Sequence, residues 1–168
     1  MNKKTLREEK YEHITHPFPP LYDADSKILI LGSLPSVKSR EQMFFYGHPQ
    51  NRFWKVLAGV CQAEVPVSVE EKKAFLLANG IAVWDVIASC RIVGSSDSSI
   101  RDVAANDVAG LLQDSRIEAV FCNGAKSWEL YHRYCEKACQ REAGKLPSTS
   151  PANAAWSPER LIKSWGEA

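Results

Sequence analysis

KILILGSLPSVKSREQMFFYGHPQNRFWKVL, from Lys27 to Leu57, is the stretch that decides the fold of this chain. It opens with the apolar run Ile28–Leu31, bounded by a lysine and a glycine, which is typical of a buried strand. It closes with a segment whose apolar residues recur at helical spacing, so a helix is predicted over Asn51–Gln62. Open α/β sheets bind ligands where a strand ends in a loop that leads to a helix. The sequence therefore predicts a binding site directly after this first strand.

Further strands and helices alternate along the rest of the chain. An apolar run predicts a second strand over Ile81–Val86, and two more strands are predicted over Glu118–Asn123 and Lys145–Ser148. Helical patterns and end signals predict helices over Ser68–Gly80, with a capping box at Glu71, over Val103–Leu112, over Lys126–Glu142, and after Ser157 with Pro158 at its first position. Alternating strands and helices imply parallel strands with right-handed crossovers. The predicted fold class is α/β, a three-layer αβα arrangement around a four-stranded, mostly parallel sheet.

Two segments fit neither pattern. Ala88–Ile100, with the sequence ASCRIVGSSDSSI, is predicted to be a long polar loop. His16–Asp23 is too rich in proline for a helix or a central strand and is expected to lie extended across the base of the sheet. Residues 1–168 are expected to form a single domain, with residues 1–15 flexible.

Composition limits the class of function only weakly. The chain has 168 residues, 45% of them apolar, and a formal net charge of +1. A general nucleic-acid binder is usually more basic. An enzyme that grips one extruded nucleotide needs only a local basic rim, which Lys38, Arg40, Arg52, Arg91 and Arg101 can supply.

The five cysteines and the absence of a secretory signal predict a reduced, intracellular protein, cytoplasmic and associated with the nucleoid. Cys135 and Cys139 have the spacing of half a metal site, but only His132 lies near them in sequence and no second cysteine pair does. Their expected role is structural, and no metal or cofactor is predicted. No apolar run is long enough to span a membrane.

The loop and the helix of the opening stretch resemble the first motif of the uracil-DNA glycosylase superfamily. The run HPxNRFWKV is similar to that of the mismatch-specific uracil/thymine glycosylases. Where those enzymes carry a catalytic Asn, and other branches an acid, this chain has Leu34. GSLPS, SSDSS and STSPANA together resemble the hypoxanthine-DNA (deoxyinosine) glycosylase branch, in which the working residue is the Asn of HPxNRFW, here Asn51.

The resemblance implies excision of a base from DNA. A glycosylase extrudes the base into a pocket, tolerates positive charge on the sugar, holds a water beneath C1′ and stabilises the departing base. A neutral amide suffices to position water if a donor meets the ring nitrogens of hypoxanthine. Asn51 is the candidate, although an Asn before an apolar helix is also a good N-cap. Asp85, at the end of the second strand, is the alternative: it can accept from the water or from N1 of hypoxanthine.

The base is expected to lie against the first loop. Tyr46 corresponds to the family's stacking aromatic, and stacking on an aromatic ring contributes about 1–3 kcal/mol per base. His48 is a candidate proton donor, although a structural histidine is an equal alternative. The remaining expected substrate-binding residues are Gly32, Ser33, Leu34, Pro35 and Ser148.

STSPANA, from Ser148 to Ala154, resembles the superfamily's second motif, in which Ser148 replaces a His or Asn. This loop and the first one are expected to hold the DNA backbone, through Ser36, Lys38, Ser150, Pro151, Ala152 and Asn153. The predicted protein is a monomeric glycosylase that releases hypoxanthine from DNA containing deaminated bases, with no membrane partner. Three alternatives remain: uracil excision by the same pocket, a non-catalytic reader of damaged bases, and a nucleotide-binding α/β domain.

Overall fold

The computed structural model describes residues 10–94 and 96–168. Its strands are β1 (Glu12–Thr15), β2 (Ile28–Gly32), β3 (Ile81–Asp85), β4 (Ile87–Ile92), β5 (Arg101–Ala105), β6 (Ala119–Asn123) and β7 (Gly144–Leu146). Four of them form a parallel sheet in the order β3–β2–β6–β7. The predicted four-stranded sheet is therefore confirmed.

Helices follow the strands of this sheet. They are α1 (Val37–Gln42), α2 (Phe53–Cys61), α3 (Val69–Ala78), α4 (Val108–Gln113), α5 (Ala125–Tyr134), α6 (Glu136–Cys139) and α7 (Pro158–Gly166). The predicted caps are confirmed, because Ser68 Oγ accepts from the backbone N–H of Glu71 and Ser157 Oγ accepts from that of Arg160. Each bond satisfies a backbone donor that the first turn of a helix leaves free.

Alternation along β2 divides the core into two layers. Leu29 and Leu31 point to one face of the sheet, where they join apolar residues of α4, α5 and α6. Ile30 points to the other face, where it meets α2, α3 and α7. A strand that is apolar on both faces is covered on both sides, as parallel sheets require. The predicted αβα layering is confirmed.

A second, antiparallel sheet in the order β1–β4–β5 was not predicted. The prediction of a loop over Ala88–Ile100 is wrong in its first half, which forms β4, and a short 3₁₀ turn follows at Asp97–Ser99. The helix predicted over Val103–Leu112 is wrong in its first half, which belongs to β5. Pairing with β4 overrides the helical preference of this alanine-rich segment.

The long helix predicted over Lys126–Glu142 is also wrong, because it is divided at Cys135. The backbone there has φ −121° and ψ −34°, outside the helical region, and α6 ends at Gln140 in the left-handed conformation. The expected structural role of Cys135 agrees with its position in the core.

The N-terminal segment has more structure than predicted. Of residues 1–15, which were expected to be flexible, Glu12–Thr15 pair with β4, and residues 1–9 lie outside the described part of the chain. Within His16–Asp23, Leu21 forms an isolated antiparallel bridge with Val83 of β3. This extended path runs along β3 and brings His16 to its carboxyl end, so the expected position across the base of the sheet is wrong.

Candidate active site

A cavity of about 1070 Å³ opens where the four parallel strands end. The last residues of the strands all line it: Gly32, Asp85, Asn123 and Leu146. The chain leaves β2 toward β3 but leaves β6 toward β7, so the strand order reverses between β2 and β6. Such a reversal opens a crevice between the diverging loops. Most of the predicted site residues line the cavity: Gly32, Ser33, Leu34, Pro35, Ser36, Tyr46, Asn51, Asp85, Ser148, Ser150, Ala152 and Asn153.

Asn51 lies just before α2, with its side chain held from two directions. Its Oδ1 accepts from the backbone N–H of Phe53 at 3.0 Å and from the hydroxyl of Thr149 at 2.8 Å. The first bond is a cap-like contact at the start of α2, so the residue stabilises the helix end and lines the cavity at once. The structure thus shows the cap-like contact expected of this Asn, and its catalytic role stays a prediction.

Asn123, at the end of β6, completes a chain of hydrogen bonds to Asn51. Its Nδ2 donates to Thr149 Oγ1 at 2.9 Å, and its Oδ1 accepts from the backbone N–H of Thr149 at 3.0 Å. Thr149 has no exposed surface. The three side chains connect the end of the sheet, the second loop and the start of α2.

Asp85 is only 3% exposed, and its Oδ2 lies 2.8 Å from Nε2 of His16. A buried carboxyl needs such a partner, because burying it unpaired is costly. Tyr46 lies beside this pair, with its ring stacked on Phe53 at a centroid distance of 3.8 Å. Burial raises the pKa of Tyr46, and the nearby Asp85 raises it further, so the phenol keeps its proton.

The first loop is held in shape by its own serines. Ser36 Oγ accepts from the backbone N–H of Ser39 and caps α1. Ser39 Oγ in turn accepts from Ser36 Oγ and from the backbone N–H of Gly47 at 2.8 Å. This network fixes the cavity wall that carries Leu34 and Pro35.

Arg52 holds the second loop, and its predicted place in a phosphate track is wrong. Its guanidinium donates to the backbone carbonyls of Thr149, Ser150, Asn153 and Trp156. These bonds occupy four of the five guanidinium N–H donors within the protein. Within the same loop, Ser148 Oγ accepts from the backbone N–H of Ser150, and Asn153 Nδ2 donates to the carbonyl of Ser148.

Several predicted residues lie away from the cavity lining. His48 Nδ1 accepts from the backbone N–H of Gln50, which gives it a local turn role. Lys38 pairs with Glu41 at 3.5 Å, and Pro151 is exposed. Arg91 and Arg101 both contact the ring of Tyr11. Of the predicted basic residues, Arg40 lines the cavity.

The sequence reading missed five residues of this site: His16, Asn123, Lys126, Lys145 and Thr149. Thr149 lies inside the second motif, STSPANA, whose resemblance to the superfamily assigns no role to its hydroxyl. Asn123 ends a predicted strand, which is itself a signal for a site residue. Lys126 and Lys145 add positive charge to the cavity wall, and Lys126 lies in the first turn of α5.

The chain is thus an α/β protein whose ligand cavity, lined by carboxyl, amide and aromatic groups, lies at the carboxyl ends of its parallel strands. Residues 19–167 match the family model of the uracil DNA glycosylase superfamily. The chain belongs to that superfamily.

Two named relatives and one solved structure are similar to this protein over most of the chain. A protein of Methanosarcina acetivorans named hypoxanthine DNA glycosylase is 35% identical, covering 88% of this chain and 93% of its own length. One of the same name from Methanosarcina barkeri is 34% identical, covering 90% and 95%. The solution NMR structure of a candidate uracil DNA glycosylase from M. acetivorans superposes with a TM-score of 0.79 at 33% identity, covering 94% of this chain and 96% of that one.

In residues 10–94 and 96–168, no group of three or more His, Cys, Asp or Glu is placed to hold a metal ion. None of the helices in this described part has the length and apolar character needed to cross a bilayer.

Proposed function

We propose that this protein is a DNA repair glycosylase that hydrolyses the N-glycosidic bond of deoxyinosine in DNA, releasing hypoxanthine and leaving an abasic site. Membership in the uracil DNA glycosylase superfamily supports base excision from DNA. The two Methanosarcina relatives support hypoxanthine as the base. The observation that carries the proposal is that Asn51, Asp85 and Tyr46 meet in one cavity large enough for an extruded nucleotide.

In the reaction the C1′–N9 bond breaks and its electron pair passes to the purine. The oxygen of a water bonds to C1′, and one proton of that water ends on the released base. The site therefore needs an acceptor for the water or the base, and a donor for the electron-rich purine.

Asp85 is the acceptor in this proposal. Its Oδ2 is paired with His16, whereas Oδ1 forms no hydrogen bond with any residue in the described part of the chain. A carboxyl held in this way can accept from the attacking water or from N1–H of hypoxanthine. Leu34, at the position where other branches place an acid or amide, offers only apolar contact, which leaves this task to Asp85.

Tyr46 and the first loop bind the base. Phe53 covers one face of the Tyr46 ring, and a ring fixed in this way can stack its other face on a purine. Gly32, Ser33, Leu34, Pro35 and Ser148 line the same cavity and complete the pocket. His48 supports the loop from outside.

The DNA backbone is expected to lie across the mouth of the cavity. The expected contacts with the backbone include four residues of the cavity lining: Ser36, Ser150, Ala152 and Asn153. Lys38 and Pro151 lie outside the lining. Lys126 and Lys145 supply positive charge for the phosphates. We further propose that the protein acts as a monomer, in the cytoplasm beside the nucleoid.

Labelled duplexes containing inosine, uracil or xanthine test the activity, with alkali to cleave abasic sites after incubation. Scission at inosine supports the proposal, and scission at uracil alone would replace hypoxanthine with uracil as the substrate. Binding without scission would indicate a non-catalytic reader, and no affinity for any damaged duplex would overturn the proposal.

Asn51→Ala is the matching variant. It should lower the cleavage rate by about 100-fold or more, as loss of a positioned polar group in an active site does. Circular dichroism and thermal unfolding must show that the variant stays folded. Undiminished cutting by the folded variant would remove Asn51 from the mechanism.

A further inference from the structure

The orientation of the Asn51 amide follows from two backbone N–H groups, one that donates to Asn51 itself and one that donates to Asn123 at the far end of the hydrogen-bond chain. At one end, the N–H of Phe53 can only donate, so the Asn51 atom that it meets must be the oxygen. At the other end, the N–H of Thr149 can only donate, so the Asn123 atom that it meets is also the oxygen. Asn123 therefore presents its NH₂ group to the Thr149 hydroxyl.

This polarity determines what the Thr149 hydroxyl does. Its oxygen accepts from Asn123 Nδ2, and its proton is directed at Asn51 Oδ1, 2.8 Å away. An amide oxygen has two lone-pair directions, and Asn51 Oδ1 now accepts two bonds. No lone pair of this oxygen is left for a water, whereas Nδ2 of Asn51 has no hydrogen-bond partner in the described part of the chain.

We propose that Asn51 acts through its amide nitrogen, as a hydrogen-bond donor to the departing purine, and that Thr149 and Asn123 are positioning residues that hold this orientation. This inference rests on the proposed function. The two residues then have different roles. Asn51 donates to the base as its negative charge grows, and Asp85 accepts from the attacking water or from N1–H. N3, N7 and O6 are the acceptor atoms that hypoxanthine offers to such a donor.

Asn51→Asp separates this role from the positioning of water. An aspartate keeps an oxygen for Phe53 and Thr149 but puts a second oxygen in place of the donor. We expect its single-turnover rate on inosine duplex to fall about as far as that of Asn51→Ala, by about 10²- to 10³-fold, the loss typical of one donor to a developing anion. Activity of Asn51→Asp close to that of the wild type would overturn the inference, because a carboxylate would orient water at least as well.

Thr149→Val and Thr149→Ser test the positioning residues. Valine preserves the shape of threonine but removes the hydroxyl, so we expect a rate loss of about 10- to 100-fold from the released amide. Serine keeps the hydroxyl, so the single-turnover rate of Thr149→Ser should stay within about threefold of the wild-type rate. A tenfold loss, which corresponds to about 1.4 kcal/mol, is not expected. Equal rates for the two variants would overturn the positioning role.

Substrate analogues give a readout that a purely structural role does not move. Duplexes carrying 3-deaza- or 7-deazadeoxyinosine each lack one acceptor of the base, whereas deoxynebularine lacks O6 together with the N1–H donor. One analogue lacks the acceptor atom that Asn51 Nδ2 contacts. For that analogue the cleavage rates of the wild type and of Asn51→Ala should become equal. If Asn51→Ala lowers the rate by the same factor on all three analogues as on inosine, the inference is overturned. A wild type that does not cut inosine would instead overturn the proposed function, so the two failures are distinguishable.

Discussion

At Gly32 the backbone passes so close to Asp85 that no side chain fits between them. A Cβ added here would lie 2.5 Å from Asp85 Oδ1 and 3.1 Å from the Tyr46 hydroxyl. The glycine at the end of β2 is therefore a requirement of the site, because it lets the carboxyl and the phenol approach the strand end.

Gly32→Ala should destabilise the fold by about 1–3 kcal/mol and lower the cleavage rate, since the methyl group displaces Asp85 or Tyr46. Urea unfolding and single-turnover assays measure the two effects. Gly166→Ala is the control, because a Cβ there meets nothing within 4 Å. Full activity of Gly32→Ala would mean that the position of the Asp85 carboxyl is not critical.

Asp85→Asn tests the acceptor directly. The amide has nearly the shape of the carboxyl and can still bond to His16, but it loses the charge and half of the acceptor capacity. We expect the rate on inosine duplex to fall by about 100-fold or more, as for loss of a general base. Asp114→Asn, which alters a carboxyl bonded to Tyr22 outside the cavity, is the matched control and should cut normally.

On the scale of secondary-structure elements, the second loop depends on the helix that faces it. Arg52 lies at the start of α2 and reaches backbone carbonyls from Thr149 to Trp156. The loop has turn hydrogen bonds of its own, and the four bonds from Arg52 hold these turns against the start of α2.

Arg52→Lys should loosen this loop, because an ammonium group cannot reach several separated carbonyls in a fixed fork. We expect a stability loss of about 1.5–3 kcal/mol, typical of hydrogen bonds to a charged group. Hydrogen exchange should increase in residues 148–156. Arg160→Lys, which alters a guanidinium stacked on Trp156 at 3.7 Å, is the control within the same region. Unchanged hydrogen exchange in Arg52→Lys would show that Arg52 does not hold the second loop in place.

Local signals were enough to predict most elements from the sequence. Apolar runs predicted β2 and β3, the alternation of elements placed strands at β6 and β7, and Ser68 and Ser157 marked helix starts. β4 and β5 were missed because their strand character comes from pairing with each other and not from a strong apolar pattern. Tertiary pairing of this kind overrides the preference of residues such as Ala104.

The residues of the candidate site were likewise predictable from the sequence only in part. Gly32, Asn51 and Asp85 were predicted because each stands at the end of a recognisable element or motif. Their partners were not, because those contacts join distant parts of the chain. His16 is 69 residues from Asp85, and Thr149 is 98 residues from Asn51. Such pairs follow from the folded topology and leave no local pattern.

At the scale of the whole molecule, the candidate site and the apolar core lie on different parts of the parallel sheet. The polar cavity lies at the carboxyl ends of the strands, whereas both faces of the sheet are packed with apolar side chains. Cys122 on β6 and Cys135 after α5 belong to one of these apolar layers. Burial raises the pKa of each of these thiols to about 12.

The buried thiols predict that stability falls in alkaline solution. In the unfolded chain a thiol ionises near pH 9, whereas Cys122 and Cys135 keep their protons in the fold until about pH 12. The unfolded state then binds fewer protons than the native state, so the free energy of unfolding decreases as pH rises from 9 toward 12. Each thiol contributes a slope of up to about 1.4 kcal/mol per pH unit. Urea unfolding at pH 7.5, 8.5, 9.5 and 10.5 measures this slope.

The double variant Cys122→Ala, Cys135→Ala should flatten that slope, although its absolute stability is lower because packing is lost. Cys61→Ala, which alters a partly exposed thiol on α2, should flatten it less. A slope equal in the wild type and the double variant would show that these thiols ionise in the fold as readily as in the unfolded chain. The layer between β6 and α5 would then have to admit water, contrary to the complete burial of Cys122.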